Sequence, residues 1–155
     1  MNDDIMKLCD RIRETGYAIH RYHKHGHLEK VYENSLAHRL RKLGLDVKQQ
    51  HELIVYDEDG TVVGDYLADL FVDNRLIIEV KAVKSLAEEH VAQVLGYLRA
   101  SRIENGLLIN FGAPKYQIRK YALSQPLGIW RGRGLAGLFF AMSSFFEWLK
   151  SFVES

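Results

Sequence analysis

Two apolar stretches of this chain, residues 66–72 and 76–83, are interrupted by charged side chains. Short apolar runs bounded by turn residues are typical of strands that are buried on both faces. Asp69 lies within the first run, and Glu79 and Lys81 lie within the second. An unpaired charge in such a place costs on the order of several kcal/mol. These three side chains are therefore expected to hold one another, a metal ion or a substrate, and they form the first candidate site.

The bulk composition narrows the class of protein. The chain has 155 residues, of which 47% are hydrophobic, and this suits one domain with a real core. Its formal net charge of +1 means that any nucleic-acid contact must come from a local basic surface. Cys9 is the only cysteine, which excludes an internal disulfide and a cysteine metal cage. The acidic N-terminus lacks a signal-peptide core, so a cytoplasmic location is expected.

The periodicity of apolar residues predicts an α/β fold with a mixed β-sheet flanked by helices. Helices are predicted over 4–23 and 28–43, and strands over 47–56, 61–72 and 76–83. A further helix to about residue 101 is predicted to open with a capping box of Ser85 and Glu88, followed by strands over 106–111 and 116–123. The third helix is long enough for a parallel crossover. The second helix is predicted to bury Leu28, Val31, Tyr32, Ser35, Leu36, Leu40 and Leu43.

The residue pattern of the sequence changes after Pro126. We divide the chain into a domain over 1–125 and a tail over 126–155 with a hinge at 131–134. An apolar stripe from 135 to 153 predicts an amphipathic helix that docks on its own core or on a second copy, with a homodimer slightly favoured. A membrane-surface helix is the sharper alternative, disfavoured by a polar face with one lysine. The stretch is short for a bilayer and carries charge, so no transmembrane segment is predicted.

The loop between the two interrupted strands decides whether their acids meet. Residues two apart on a strand share a face, so Glu79 and Lys81 point the same way. A two-residue loop would pair residue 69 with 78 and turn Asp69 away. A three-residue loop over 73–75 pairs 69 with 79, and Asn74 tolerates the left-handed conformation that such loops use.

Two converging carboxylates repel each other unless a cation lies between them. Oxygen ligands of this kind suit Mg²⁺ or Mn²⁺, which can polarise a phosphoryl oxygen and lower the pKa of a bound water. Lys81 could then stabilise charge on phosphorus. The alternative is a buried ion pair of Lys81 with Asp69 or Glu79.

Three motifs occur in an order that resembles one nuclease superfamily. Asp69 followed by Glu79-Val80-Lys81 resembles the core of the PD-(D/E)XK nucleases, with Ala68 where the name has proline. Residues 26–32, GHLEKVY, are similar to the signature of the GxxExxY family within it. Residues 93–97, QVLGY, resemble the Q-x-x-x-Y motif of several of its groups. The resemblance covers roughly residues 4–123 and implies a restriction-endonuclease-like fold.

The resemblance also implies roles for single residues. Asp69, Glu79, Glu29 and the carbonyl of Val80 would be metal ligands, Lys81 the catalytic lysine, and Gln93 and Tyr97 would face the site from the following helix. The implied activity is Mg²⁺- or Mn²⁺-dependent hydrolysis of phosphodiester bonds in nucleic acid, with DNA favoured over RNA. Two alternatives stay open: a nucleic-acid-binding module of the same fold without appreciable hydrolysis, and an oligomerising structural protein that acts through its C-terminal helix.

Basic residues near the motifs are candidates for phosphate contact. Arg21 and Lys24 precede Glu29, and Lys84 follows Lys81, so all three are predicted to bind nucleic acid. The histidines around Lys24 allow a zinc site, but a solvated basic loop is favoured; they are His20, His23, His25 and His27. Tyr32 lies on the predicted apolar stripe, so a core role is favoured over a catalytic one.

Overall fold

The computed structural model describes residues 2–123, so the predicted hinge and helical tail over 126–155 lie outside the described residues. The elements within that range are α1 Asn2–His23, α2 Glu29–Lys42, β1 Val47–Tyr56, β2 Val62–Val72, β3 Leu76–Lys81, α3 Glu88–Ser101, β4 Asn105–Asn110 and β5 Gln117–Ala122. Their order confirms the predicted sequence of two helices, three strands, one helix and two strands. No helix in this range is long and apolar enough to cross a membrane.

The five strands form one mixed sheet in the order β1-β2-β3-β4-β5. Neighbouring strands are antiparallel except for β3 and β4, which are parallel and are joined through α3. The predicted parallel crossover is therefore confirmed, and its effect is to place the carboxyl ends of β3 and β4 at the same edge of the sheet.

Apolar cores lie on both faces of the sheet. One packs α1 and α2 against side chains that include Ile78 and Leu70, and the other packs α3 against Ile77 and Leu108. Strand β3 contributes to both cores, which agrees with the prediction that it is buried on both faces. Each such aliphatic side chain stabilises the fold by about 2 kcal/mol through burial. The charged end of β3 is thus held on a rigid support.

The hairpin between β2 and β3 has the three-residue loop that the site requires. Its register pairs Leu70 with Ile78 and Val72 with Leu76, which leaves residues 73–75 as the loop. Asn74 has a φ of 53° and lies in the left-handed region, as predicted for this loop. Continuing the register by one residue places position 69 opposite position 79.

The buried face of α2 differs from the predicted one. Leu28 is the N-cap residue and is 79% exposed, and Val31 and Leu43 are also exposed. Glu33 is buried instead, with 3% exposure, beside Tyr32. The buried face is rotated from the predicted one and comprises Tyr32, Glu33, Leu36, Ala37 and Leu40. This rotation directs the Glu33 carboxylate to Gln49 and Gln50 of β1.

The start of α3 also differs from the prediction. The helix begins at Glu88 with Ala87 as its N-cap, and Ser85 lies before the helix in an exposed connection. The backbone N–H of Ala87 donates to Nδ1 of His90 at 3.0 Å. The N-cap residue is therefore bonded to His90 within the helix and not to Ser85 or Glu88. The predicted capping box of Ser85 and Glu88 is wrong.

Candidate active site

Asp69 lies where the pairing of β2 with β3 ends. The last paired residues are Leu70 and Ile78, and beyond them the Asp69 side chain bonds to the β3 backbone. Its Oδ2 accepts a hydrogen bond from the N–H of Val80 at 2.8 Å. The N–H and C=O of one strand residue lie on the same side of a strand, so the Val80 carbonyl is also directed towards this gap.

Glu79 and Lys81 share the α3 face of β3 and bond to each other. Nζ of Lys81 donates to Oε1 of Glu79 at 2.9 Å, and the two side chains are 13% and 3% exposed. This is the ion pair that the sequence left open as an alternative. It satisfies only half of the Glu79 carboxylate, because Oε2 is buried without a hydrogen-bond partner among residues 2–123.

Burial and crowding of like charges perturb the titration of these groups. Burial, and then the nearby Asp69 carboxylate, raise the pKa of Glu79 to about 7, against the opposing effect of Lys81. Burial also raises the pKa of Asp69, while the Val80 N–H opposes that rise. Burial alone would lower the pKa of Lys81, but its bond to Glu79 and the surrounding carboxylates raise it. The lysine therefore stays charged amid an excess of carboxylates.

Glu29, the first residue of α2, adds a further acid to this group. Its side chain is partly buried and makes no hydrogen bond or ion pair with other described residues. Its negative charge nevertheless contributes to raising the pKa values of Asp69, Glu79 and Lys81. Glu29 is therefore close enough to act on all three residues electrostatically, and its oxygens are not bonded to any other residue within 2–123.

The loop before Glu29 is closed by Tyr32. The hydroxyl of Tyr32 donates to the carbonyl of Lys24 at 2.6 Å and accepts from the N–H of His27 at 3.2 Å. Its ring stacks on Phe111 with the centroids 4.8 Å apart. Gly26 has a φ of 115°, which other residues rarely adopt. The glycine and tyrosine thus shape the turn that carries Glu29, which supports the structural role favoured for Tyr32.

Helix α3 brings Gln93 and Tyr97 towards the site. Nε2 of Gln93 donates to Oη of Tyr97 at 2.7 Å, as residues four apart on one helical face can do. Burial raises the pKa of Tyr97, and the negative charge of Glu79 raises it further. The Tyr97 ring also packs on Tyr66 of β2, with centroids 5.2 Å apart. The hydroxyl therefore stays protonated near the carboxylates.

Comparison with known proteins identifies the family. The family model described as the PD-(D/E)XK nuclease superfamily matches residues 6–121. The chain belongs to the PD-(D/E)XK nuclease superfamily. No curated protein matches the chain. The protein in the solved structure titled "Crystal structure of SSO0001" is similar to it, with a TM-score of 0.52 and 20% identity over 64% of this chain and 52% of that chain.

That structural likeness bears on the fold alone, and the chain spans about half the length of the SSO0001 chain. Together with the mixed sheet and its flanking helices, the family match confirms the restriction-endonuclease-like α/β fold. PD-(D/E)XK nucleases generally use divalent cations, typically Mg²⁺.

The chain's own residues fit such a cation in part. The unpartnered Oε2 of Glu79, beside the Asp69 carboxylate, is a buried acceptor that a cation would satisfy. Among residues 2–123, however, no group of three or more His, Cys, Asp or Glu side chains is arranged to hold a metal ion. Asp69 and Glu79 therefore supply two carboxylates, and Glu29, the Val80 carbonyl and water would complete the shell. Mg²⁺ commonly keeps several waters in this way.

The histidines around Lys24 are likewise not arranged as a zinc site within residues 2–123. His20 is buried, and its Nε2 lies 2.9 Å from the carbonyl of Ala113. The rings of His23 and His27 lie edge to face, with centroids 5.5 Å apart. The His20 contact packs α1 against the connection between β4 and β5, and the contact of His23 with His27 packs the loop before α2.

Sequence reasoning missed Asn110, which fixes the chain as it leaves the site. Its Oδ1 accepts from the N–H groups of Val83 and Gly112, each at 3.0 Å, and its Nδ2 donates to the Val83 carbonyl at 2.8 Å. A Cβ on Gly112 would lie 2.3 Å from the Val83 nitrogen, so only glycine allows this approach. The signal was present, because Asn110 is a polar residue at the end of a buried apolar strand.

The structure brings together two of the three predicted nucleic-acid contacts. Arg21 and Lys24 line a surface groove of about 470 Å³, which we call the basic groove. Lys84 is exposed on the connection between β3 and α3, three residues beyond Lys81, and does not line it. The other residues of the groove are Tyr17, His20, Pro114, Lys115 and Tyr116. Lys115 is a basic residue that the sequence did not indicate.

Proposed function

We propose that this chain is a Mg²⁺- or Mn²⁺-dependent nuclease that hydrolyses phosphodiester bonds in nucleic acid. The observation that carries the proposal is the buried Glu79 carboxylate, which has one oxygen bonded to Lys81 and the other unpartnered. A buried, half-satisfied acid beside Asp69 is costly unless a cation completes it. Because the chain belongs to a nuclease superfamily, binding of a catalytic cation would explain why such an acid is kept at this position.

In this proposal the acids bind the metal ion and the lysine stabilises charge on the phosphoryl group. Asp69, Glu79, Glu29 and the Val80 carbonyl would hold the ion. When bound, the ion polarises a phosphoryl oxygen and lowers the pKa of a water. Lys81 keeps its proton, so its ammonium offers a positive charge to the phosphoryl oxygens.

Gln93 and Tyr97 would act from the α3 side of the site. Their mutual hydrogen bond orients the Tyr97 hydroxyl, and the raised pKa keeps that hydroxyl a donor. We further propose that the chain belongs to the GxxExxY family. Gly26 and Tyr32 shape the loop, and Glu29 is left without a bond to any described residue.

The substrate would be held by local basic groups, since the chain carries a net charge of only +1. Arg21, Lys24 and Lys115 of the basic groove, with Lys84 apart from it, would contact phosphates, and DNA is favoured over RNA. Affinity carried by such contacts should fall steeply as salt rises. The Lys81–Glu79 ion pair favours one rival, a nucleic-acid-binding module of the same fold in which that pair is only structural.

A cleavage assay tests the proposal. Labelled single- and double-stranded DNA and RNA are incubated with Mg²⁺, Mn²⁺ or EDTA and the wild type, Asp69→Asn or Asp65→Asn. Asp65 is an exposed acid on the same strand and serves as the matched control. We expect metal-dependent cleavage by the wild type and Asp65→Asn alone. Cleavage that survives EDTA or Asp69→Asn would refute the proposal, and binding without cleavage in every metal would favour the binding module.

A further inference from the structure

Glu33 of α2 is a buried acid that is not among the predicted site residues. It is 3% exposed, and both of its carboxylate oxygens are engaged. Oε1 accepts from Lys30 at 2.8 Å and from Nε2 of Gln49 at 2.9 Å, and Oε2 accepts from Nε2 of Gln50 at 3.0 Å. A carboxylate with this many donors is an anchor rather than a free ligand.

Gln50 of β1 connects this anchor to the site. Its Nε2 donates to Oε2 of Glu33 at 3.0 Å and to Oδ1 of Asp69 at 3.2 Å. An amide NH₂ has two hydrogens, so one donor group can serve both carboxylates. Because Oδ2 of Asp69 accepts from Val80, each oxygen of that carboxylate is fixed by one donor and keeps a lone pair for a further partner.

The backbone at Gln50 is unusual for a strand residue. Its φ is 50°, in the left-handed region, although the pairing of β1 with β2 keeps one register on either side, from Gln49 with Leu70 to His51 with Ala68. At the same place, residues two apart on β2 no longer face the same side of the sheet. Leu70 belongs to the core under α1 and α2, whereas Ala68 belongs to the core under α3. A strained residue placed opposite a candidate ligand is a common mark of a functional site.

We infer that Gln50, held by the buried Glu33, is a positioning residue that fixes the Asp69 carboxylate for the divalent cation. This inference rests on the proposed function. Glu33 acts through Gln50 and is not assigned as a ligand, because its carboxylate already accepts hydrogen bonds from Lys30, Gln49 and Gln50. Glu29, one turn earlier, makes no hydrogen bond with another described residue. Partners of this kind typically change metal affinity about 10-fold to 100-fold when they are removed.

The test uses Mn²⁺ alone as the probe, titrated calorimetrically into the full chain. Gln50→Gly removes the amide without backbone strain, since glycine adopts a φ of 50° freely. We expect the Mn²⁺ dissociation constant to rise about 10-fold. The thermal midpoint in EDTA should change little, because relief of the left-handed backbone at residue 50 offsets the loss of the donor to Oε2 of Glu33. A purely structural role would not separate these two readouts. If the variant also cleaves, kcat should fall more than KM changes.

Gln49→Ala is the matched control. Gln49 also donates to Glu33 and to Asn34, but it does not touch Asp69, so its loss should leave Mn²⁺ affinity unchanged. If the wild type binds Mn²⁺, Asp69→Asn abolishes binding, and Gln50→Gly binds as the wild type does, the positioning role is overturned and the proposed function stands. If the wild type fails to bind Mn²⁺, the proposed function fails and the inference falls with it.

Discussion

At the scale of single residues, Glu79 links stability to function. Its pKa is raised from 4.5 to about 7, first by burial and then by the Asp69 carboxylate. Without metal, the folded protein keeps a proton that the unfolded chain releases near its ordinary pKa. The folded state therefore binds more protons across this window, and the free energy of unfolding falls as the pH rises from about 4.5 to about 7.

Glu79→Gln has no such proton, so the pH dependence should separate it from the wild type. A shift of this size predicts that the wild type loses about 3 kcal/mol relative to Glu79→Gln across the window. Urea unfolding of both proteins in EDTA, at about pH 5 and about pH 8, measures the difference. A gap between the two proteins that does not change with pH would contradict the burial of an uncompensated acid.

Lys81→Ala separates catalysis from stability. We expect kcat to fall on the order of 10³-fold, because the charge offered to the phosphoryl group is removed. The fold should survive, since Glu79 can take up a proton when its partner is lost. Lys84→Ala, which removes an exposed lysine nearby, should weaken substrate binding and leave kcat intact. Full activity in Lys81→Ala would disprove the assignment, and an unfolded Lys81→Ala would support a structural ion pair.

Some residues of the site could be predicted from the sequence, and others could not because only tertiary contacts place them there. Charges within apolar runs pointed to Asp69, Glu79 and Lys81, because such burial needs a reason. Glu33 gave no such signal, since a carboxylate on a helix is ordinarily solvated. The left-handed Gln50 could not be predicted either, because glutamine has no preference for that conformation and only its tertiary partners hold it there.

At the scale of elements, the turn before α2 shows how a short motif positions an acid. Tyr32→Phe keeps the ring stacked on Phe111 but removes the hydroxyl bonds to Lys24 and His27. We expect the free energy of unfolding to fall by about 1–3 kcal/mol. We also expect faster amide exchange at His27, measured by hydrogen exchange.

Tyr17→Phe is the matched control for this change. Tyr17 is an exposed tyrosine of α1, and its ring packing on Tyr116 survives the loss of the hydroxyl. Equal stability and exchange in the two variants would show that the Tyr32 hydroxyl does not hold the turn.

Elements were more predictable where local chemistry decides them. Strand parity left a two-residue and a three-residue loop open and showed that the site requires the three-residue one. An asparagine that tolerates positive φ is compatible with that loop, and the register has it at residues 73–75. The start of α3 at Glu88 was not predictable, because its cap uses His90 from within the helix and not the serine upstream. The buried face of α2 was not predictable either, because packing against the sheet decides how the helix is rotated about its axis.

At the scale of the whole molecule, oligomeric state is the open prediction. Residues 2–123 hold the candidate site and both cores, while the apolar stripe over 135–153 lies outside the described residues. A stripe of that length needs a partner surface. We predict that the full chain sediments as a dimer and that a version ending at Gln125 sediments as a folded monomer. A soluble, folded monomer of the full chain would rule the dimer out.

The central claim is that Asp69 and Glu79 hold a divalent cation. The most direct measurement is an anomalous difference map from crystals of the full chain grown with Mn²⁺. We predict a peak within about 2.5 Å of oxygens from both Asp69 and Glu79, which is lost in Asp69→Asn crystals. A map at saturating Mn²⁺ with no peak there, or with its peak elsewhere, would contradict the account.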